Sequence, residues 1–142
     1  MIPIVPEALE RYAAFHTEEE SPLLKALVRE THASTACPQM QVGHLEGAFL
    51  RLLVRIMGAR RILEIGTFTG YSALAMAEGL PEGGSVTTGD LDPEATQMAR
   101  RFWNKSPHGK KIILKLGPAL ETIKTLAGPF DLVFIDADKE NY

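Results

Sequence analysis

The sequence predicts an α/β fold in which helices precede a parallel sheet. The second part of the chain alternates between apolar runs of strand length and segments of helix length. The strand-like runs are 61–65, 85–89, 111–116 and 130–135, and the helix-like segments between them are 70–80, 93–104 and 118–127. Strands that alternate with helices of this length form right-handed βαβ units, which place the strands parallel in one sheet.

The first part of the chain is predicted to be helical, with helices over 6–17, 22–33 and 44–57. Ser21 supplies an N-cap and Pro22 a first-turn proline for the second of these helices. The third helix carries apolar residues at helical spacing, and Gly58 is a suitable residue to end it.

Start signals in the second part agree with this division. Asp92-Pro93 and Gly117-Pro118 precede the last two helix-like segments. We interpret Asp92 as a helix N-cap rather than a ligand contact, because a proline follows it directly. We expect one domain over residues 1–142, with a helical part at 1–58 and βα units at 59–142.

Composition indicates a globular protein with no general attraction to a macromolecular partner. The net charge of −3 disfavours nucleic acid and membranes, although Arg100, Arg101, Lys105 and Lys110-Lys111 form one basic cluster. Cys37 is the only cysteine, so no internal disulfide can form and a reducing compartment is expected. The sequence shows no signal-peptide pattern and no apolar run of roughly 18 residues, so we expect a cytoplasmic protein without a membrane span.

The predicted strands end in polar segments, and ligands of open α/β sheets bind at the carboxyl ends of the strands. These ends are E-I-G-T-F-T-G, G-D-L-D, L-G-P-A and D-A-D-K. The spacing from Gly66 to Gly70 differs from the G-x-G-x-x-G pattern of dinucleotide sites. Glu64 would repel a pyrophosphate here, whereas it would attract a ligand with a positive ammonium and a positive sulfonium. S-adenosylmethionine carries both of these charges and no phosphate.

Asp90, at the end of the second predicted strand, is a candidate ribose ligand. It follows Gly70 by 20 residues, and a carboxylate there can accept hydrogen bonds from both ribose hydroxyls. Nucleoside cofactors of either kind share this feature, so Asp90 does not choose between them. A nicotinamide-dependent oxidoreductase therefore stays open as a second hypothesis, disfavoured by Glu64 and by the missing glycine pattern.

Four ordered motifs resemble the cation-dependent O-methyltransferases: L-E-I-G-T-F-T-G-Y-S-A-L, G-D-L-D-P-E-A-T, L-G-P-A-L-E-T and D-L-V-F-I-D-A-D-K-E-N-Y. That family includes catechol and caffeoyl-CoA O-methyltransferases, and the resemblance is to its bacterial branch. It implies a Rossmann-like S-adenosylmethionine-dependent methyltransferase fold and a homodimer. It also implies that the C-terminal strands of the family are missing from this sequence, which would make the chain a truncated domain.

Carried over residue by residue, the resemblance implies a set of cofactor-binding residues: Met40, Val42, Glu64, Gly66, Thr67, Ser72, Asp90, Ala119, Asp136 and Asp138. Met40 and Val42 would line the methionine end of the cofactor, largely through their backbone. Asp90 would take the ribose, Ala119 would lie by the adenine, and Asp138 would contact the cofactor.

The amino-acid portion of the cofactor is assigned to the first strand and the segment after it. The resemblance implies that Glu64, Gly66 and Thr67 hold this portion, and that Ser72 hydrogen-bonds its carboxylate.

The resemblance also implies a metal site and a general base after the last strand. Asp136 would be a metal ligand close to the sulfonium, with Mg²⁺ as the expected ion and Mn²⁺ or Ca²⁺ as possible substitutes. Lys139 matches the position of the general base in catechol-type members. An Asp-Asn pair that completes the metal site in the family is absent from this sequence, and Gly43-His44-Leu45 replaces the Ser-Pro-Glu common in bacterial members.

The predicted function is methyl transfer from S-adenosylmethionine to a hydroxyl of a small phenolic or catechol-like acceptor, assisted by a divalent metal. A tRNA-modifying O-methyltransferase of the same family remains an alternative because of the basic cluster. A chain that binds cofactor without turnover is a further alternative.

Overall fold

The computed structural model describes residues 4–141, in which six α-helices surround a four-stranded parallel sheet. The helices are α1 (Glu7–Phe15), α2 (Pro22–Ser34), α3 (His44–Met57), α4 (Tyr71–Gly79), α5 (Pro93–Trp103) and α6 (Ala119–Lys124). The strands are β1 (Arg61–Ile65), β2 (Ser85–Asp90), β3 (Ile112–Leu116) and β4 (Leu132–Ile135). Their order in the sheet is β3-β2-β1-β4, so the chain crosses over β1 to place β4 on its far side.

The predicted helix starts and stops are confirmed where a local side chain or glycine determines them. The Ser21 hydroxyl accepts the N–H of Leu24 at 3.3 Å, at the start of α2. The Asp92 carboxylate accepts two N–H groups of the first turn of α5, at 2.8 and 3.1 Å. Gly58 ends α3 with φ +60°, a left-handed conformation that glycine adopts at little cost.

Three predicted boundaries differ from the structure by two or more residues, and the first is the end of α1, at Phe15 rather than at residue 17. The last strand begins at Leu132 rather than at residue 130, because the side chain of Asp131 accepts the backbone N–H groups of Arg60 and Arg61, both at 2.8 Å. These two hydrogen bonds lower the pKa of Asp131 and fix the start of β4 beside β1. The helix α6 ends at Lys124 rather than at residue 127. A short 3-10 turn over Pro38–Met40 was not predicted.

One face of the sheet forms the main core of the described chain. The register pairs Ile62 of β1 with Val86 of β2 and Leu132 of β4. Ile62 and Val86 belong to the buried core with α4, and the partly buried Leu132 packs against it. Side chains alternate between the two faces of a strand, so Glu64 lies on this same buried face, beside Thr88 of β2. A carboxylate is therefore packed at the carboxyl end of an otherwise apolar surface.

The opposite face of the sheet is covered at its centre and more open at both sides. Leu63 and Ile65 of the central strand β1 are buried there, whereas Ile113 of β3 and Val133 and Ile135 of β4 are 45–54% exposed. The two outer strands thus present apolar side chains to solvent on this face. Within residues 4–141, no helix has the length and apolar character needed to cross a bilayer.

The packing of α5 against the start of α4 depends on a glycine. Gly70 has φ +84°, and a Cβ atom at this position would lie 2.6 Å from Cβ of Ala99 and 2.7 Å from Cζ2 of Trp103. The indole N–H of Trp103 donates to the carbonyl oxygen of Gly70 at 3.0 Å. The buried Trp103 thus fits directly against the backbone that begins α4.

We expect Gly70→Ala to lower the free energy of unfolding by about 2–4 kcal/mol, because it adds both overpacking and backbone strain. Urea denaturation followed by Trp103 fluorescence measures this change. The matched control is Gly128→Ala, since a Cβ atom at Gly128 would meet nothing within 4 Å. Equal stability of the two variants would contradict the packing described here.

Candidate functional site

The carboxyl ends of β1 and β4 touch through their backbones. Gly66 follows β1 with φ +105°, and a Cβ atom there would collide with the carbonyl oxygen of Asp136. The N–H of Asp136 donates to the carbonyl oxygen of Ile65 at 2.8 Å. The N–H of Gly66 donates to the carbonyl oxygen of Gly89 at 2.9 Å. Three strands therefore converge at Gly66, where the β1–α4 loop (residues 66–70) begins.

Glu64 lies beneath this loop and is fully buried. One carboxylate oxygen accepts the hydroxyl of Ser72 and the other accepts the hydroxyl of Thr88, each at 2.5 Å. Burial raises the pKa of Glu64 from its usual 4.5 to about 7, the two hydroxyl groups oppose this rise, and the nearby carboxylates of Asp136 and Asp90 add to it. A positive charge brought near this group would favour its ionised form.

Asp90 holds the β1–α4 loop in place from the neighbouring strand. Its Oδ2 atom accepts the N–H groups of Thr67 at 2.8 Å and Phe68 at 2.7 Å. Its Oδ1 atom accepts the N–H of Asp92 at 2.9 Å. A carboxylate offers about four acceptor positions, so one position on Oδ1 remains for a ligand hydroxyl.

The polar groups of Thr67 and Ser72 are engaged within the chain. The hydroxyl of Thr67 shares a hydrogen bond of 2.6 Å with that of Thr88, its N–H is bonded to Asp90, and its carbonyl accepts the N–H of Gly70. The hydroxyl of Ser72 is directed to Glu64, while the backbone N–H of Ser72 lies in the first turn of α4. First-turn N–H groups have no partner within their own helix, so they can receive an anionic group.

The segment between α2 and α3 approaches the β1–α4 loop. Val42 is buried, whereas the side chain of Met40 is 62% exposed on the 3-10 turn. Between them, Gln41 donates its side-chain amide to the hydroxyls of Thr31 and Thr69, at 2.8 and 2.9 Å. Sequence reasoning did not identify Gln41, Thr31, Thr69 or Thr88, because no local pattern marks residues whose partners are 10 to 38 positions away.

The residues predicted after β4 lie at the outer rim of this edge. Asp136 is partly exposed, and the ammonium of Lys139 lies 3.9 Å from its Oδ1 atom. Asp138 is exposed in the same turn, and Ala119 begins α6 after β3. Among the residues that the structure describes, no group of three or more His, Cys, Asp or Glu side chains could hold a metal ion. Asp136, the predicted metal ligand, thus belongs to no such group within the described part of the chain.

The basic cluster of α5 and the following segment is largely engaged in contacts within the chain. Arg101 forms an ion pair with Glu30, and Lys110 lies 3.7 Å from Glu82. Lys111 donates to the carbonyl of Leu80 at 2.8 Å, and Lys105 lies over the ring of Phe102. Four of the five residues of this cluster, all but Arg100, thus have a contact of this kind within the chain.

A groove of about 530 Å³ lies away from these strand ends. It is lined by Glu18, Arg51 and Glu78, among others, and contains none of the predicted cofactor residues. Arg51 bonds Glu78 at 2.9 Å and Glu18 at 3.2 Å, so its charge is already neutralised. We therefore assign the candidate site to the strand ends, where several loops converge, and not to this groove.

Comparison with known proteins indicates the family of this chain. A family model described as O-methyltransferase matches residues 14–142. The catechol O-methyltransferase of Mycobacterium tuberculosis is 42% identical over 123 residues, which cover 86% of this chain and 56% of that protein. Caffeoyl-CoA O-methyltransferase 2 of Zea mays is 39% identical over 121 residues, which cover 81% of this chain and 46% of that protein.

The chain belongs to the O-methyltransferase family. A solved structure supports the fold as well: the methyltransferase PaMTH1 of Podospora anserina, bound to S-adenosylhomocysteine, superposes with a TM-score of 0.89 at 31% identity. The match covers all of this chain and 62% of that one. The chain thus has the Rossmann-like α/β fold of S-adenosylmethionine-dependent methyltransferases, and it spans about half the length of the two curated relatives.

The raised pKa of Glu64 predicts a pH dependence of stability. The folded chain holds this proton more tightly than the unfolded chain, so stability falls as pH rises from about 4.5 to about 7 and then levels off. The expected loss is of the order of 3 kcal/mol. The Glu64→Gln variant should not show this loss of stability. The urea midpoints of the wild-type chain and the variant should therefore agree near pH 4.5 and separate as the pH rises to 8. Parallel profiles would contradict the buried, proton-binding carboxylate.

Proposed function

We propose that this chain binds S-adenosylmethionine and belongs to a protein that methylates a hydroxyl of a small phenolic or catechol-like acceptor. The observation that carries the proposal is the fully buried Glu64 behind the β1–α4 loop, with both oxygens held by hydroxyl groups. A negative group at this depth suits a cationic cofactor and opposes the pyrophosphate of a dinucleotide. Membership of the O-methyltransferase family supports the same choice.

The residues present fit this cofactor at three places. Asp90 retains one acceptor position for a ribose hydroxyl while it holds the loop backbone. The first-turn N–H groups of α4, including that of Ser72, can receive the carboxylate of the amino-acid portion. The loop from Gly66 to Gly70 would face the amino-acid portion, and its two glycines let it pack closely within the chain, since a Cβ atom at either would collide with Asp136 or with Ala99 and Trp103.

Glu64 acts in this proposal through its charge and its partners. Its oxygens already accept the hydroxyls of Ser72 and Thr88, so it holds α4 and β2 together beneath the ammonium end of the cofactor. Thr67 has the same supporting role, since its hydroxyl bonds to Thr88. Val42 and the backbone of Met40 would border the methionine end, and Ala119 the adenine. S-adenosylmethionine, when bound, supplies a methyl group on a positively charged sulfur.

Transfer to oxygen requires the acceptor hydroxyl to lose its proton as it attacks the methyl group. Lys139 is our candidate for accepting that proton, and Asp138 lies in the same turn as a candidate cofactor contact. The two parts of the site meet at Asp136, which lies next to Gly66 and within 3.9 Å of the Lys139 ammonium. In this proposal the neutral amine of Lys139 accepts the proton, on the same rim as the cofactor, because a charged ammonium has no lone pair to take one.

For the metal, we propose only a single ligand, Asp136. Mg²⁺ prefers six oxygen ligands, and the described residues offer Asp136 without two further carboxylates or histidines beside it. These residues alone do not make a divalent-cation site, so we derive no catalytic step through a metal. We propose that Asp136 supplies one oxygen ligand to Mg²⁺, or to Mn²⁺ or Ca²⁺, when other ligands complete the shell.

Assembly and location complete the proposal. We propose that residues 1–142 form one domain that associates as a homodimer in the cytoplasm. The exposed and apolar residues Leu45, Phe49, Leu52 and Ile56 recur along one side of α3, which supports self-association. The lone cysteine, Cys37, is exposed and unpaired by any disulfide, which agrees with a reducing compartment. A tRNA acceptor is disfavoured, because the basic cluster is occupied by internal contacts.

Calorimetry decides between the cofactor classes. We expect the 142-residue chain to bind S-adenosylhomocysteine, with no measurable heat from NAD, because Glu64 and the loop lack a place for pyrophosphate. Binding of NAD in preference to S-adenosylhomocysteine would overturn the proposed function.

The ribose assignment is tested by Asp90→Asn, which keeps one oxygen to accept the loop N–H groups and removes the negative charge. We expect S-adenosylhomocysteine affinity to fall at least about tenfold, because hydroxyl bonds to a charged acceptor are worth more than neutral ones. Asp92→Asn is the matched control, since asparagine also caps helices well, and it should bind normally. Equal affinities of the two variants would refute the ribose role of Asp90.

The roles proposed for Lys139 and for the metal can be tested by measuring turnover in any preparation of the protein that methylates a catechol. Lys139→Met should lower kcat about 100-fold or more and leave cofactor affinity near normal, as the loss of a general base requires. EDTA should abolish the activity and Mg²⁺ should restore it. Full activity in EDTA would eliminate the metal from the mechanism, and parallel loss of cofactor binding in Lys139→Met would make Lys139 a binding residue.

A further inference from the structure

One side-chain amide joins three segments of the chain beside the candidate site. Gln41, in the α2–α3 loop (residues 35–43), donates to Thr31 of α2 at 2.8 Å and to Thr69 of the β1–α4 loop at 2.9 Å. The two threonine hydroxyls are also 3.0 Å from each other. A triangle of hydrogen bonds thus connects the α2–α3 loop to the loop that follows β1.

Each of the three side chains has a hydrogen-bond partner within this triangle. A primary amide has two N–H donors, and here each is directed to a different hydroxyl oxygen. One of the hydroxyl protons forms the bond between the threonines, and Thr31 also lies 3.8 Å from the sulfur of Met98. Both threonines are fully buried, so removal of the amide would leave their oxygens short of donors at a place that water does not reach.

The triangle sits between the two residues that border the methionine end in the proposed function. Val42, after Gln41, is buried in the core and anchors the loop by apolar contact. Met40, before it, is 62% exposed on the 3-10 turn and has no such anchor. The position of the Pro38–Met40 turn relative to Thr69 therefore depends on the amide of Gln41.

We propose that Gln41 is a positioning residue, which holds the α2–α3 loop against the β1–α4 loop through Thr31 and Thr69 and thereby sets affinity for the amino-acid end of the cofactor. This inference rests on the proposed function. Gln41 does not need to touch the ligand, because it fixes the distance between the two loops that enclose it. Binding to loops already held in place costs less ordering entropy.

The test compares two glutamine variants of the same loop in the 142-residue chain. Gln41→Met keeps length and removes both donors, whereas Gln39→Met changes an exposed residue two positions away. We expect S-adenosylhomocysteine affinity, measured by calorimetry, to fall about tenfold in Gln41→Met and to stay within about twofold in Gln39→Met. Equal affinities of the two variants would overturn the proposal.

Thr31 lies on α2, outside the cofactor loops, and supplies a second test. Thr31→Val should weaken binding as Gln41→Met does, and Thr31→Ser, which retains the hydroxyl, should restore most of it. The double variant Gln41→Met/Thr31→Val should bind no worse than either single variant, because the same triangle is broken in each. Additive losses, or no rescue by serine, would show that the side chains act through general stability instead.

Hydrogen exchange without ligand separates this inference from the proposed function. Backbone amides of residues 36–43 should exchange about tenfold faster in Gln41→Met than in Gln39→Met. The comparison is made under conditions in which the two variants have the same free energy of global unfolding. If the wild-type chain fails to bind S-adenosylhomocysteine, the proposed function is wrong, and faster exchange still supports the link between the loops. Unchanged exchange in Gln41→Met would overturn the link whatever the chain binds.

Discussion

The buried carboxylate of Glu64 is the constraint on which the candidate site depends. A charge or proton-bearing acid at the centre of a parallel sheet is costly unless its oxygens find donors. The donors are hydroxyls from two directions, Ser72 on α4 and Thr88 on β2. Satisfying one side chain therefore ties the start of a helix and the end of a neighbouring strand to β1. This arrangement places a carboxyl group, held without direct contact to solvent, beneath the β1–α4 loop.

The β1–α4 loop at this edge of the sheet is likewise held by contacts within the chain. Asp90 accepts backbone N–H groups of Thr67 and Phe68, so the loop conformation is held from the adjacent strand. Gly66 and Gly70 allow that conformation, because a side chain at either position would meet Asp136 or Trp103. The loop is consequently built by contacts on all sides before any ligand arrives. Such pre-organisation lowers the entropy lost on binding.

The inner part of the site, around Glu64 and Asp90, is more buried than the outer part, around Asp136 and Lys139. Around Glu64 and Asp90 the polar groups have partners inside the chain, whereas Asp136 and Lys139 are at the rim and more exposed. In our proposal the inner part binds the cofactor. In our proposal an acceptor approaches the outer part, and by their names the relatives act on acceptors that range from catechols to caffeoyl-CoA.

The sequence by itself determined the alternation of strands and helices, the parallel sheet and most element boundaries. Ser21, Gly58 and Asp92 act within a few residues of themselves, so their effects are visible in the local sequence. The motifs also placed Glu64, Gly66 and Asp90 at one edge, because parallel strands end on the same side. The start of β4 was misjudged, since Asp131 bonds N–H groups some 70 positions earlier in the chain.

Only the tertiary structure decided which side chains support that edge. The partners of Glu64 and the triangle of Gln41, Thr31 and Thr69 depend on strand register and on the docking of α2. No periodicity or short motif encodes such pairs, because side-chain hydrogen bonds act over about 3 Å in space and are indifferent to separation along the chain. The sequence thus predicted where a ligand would bind, and the fold determined how the loops around it are held.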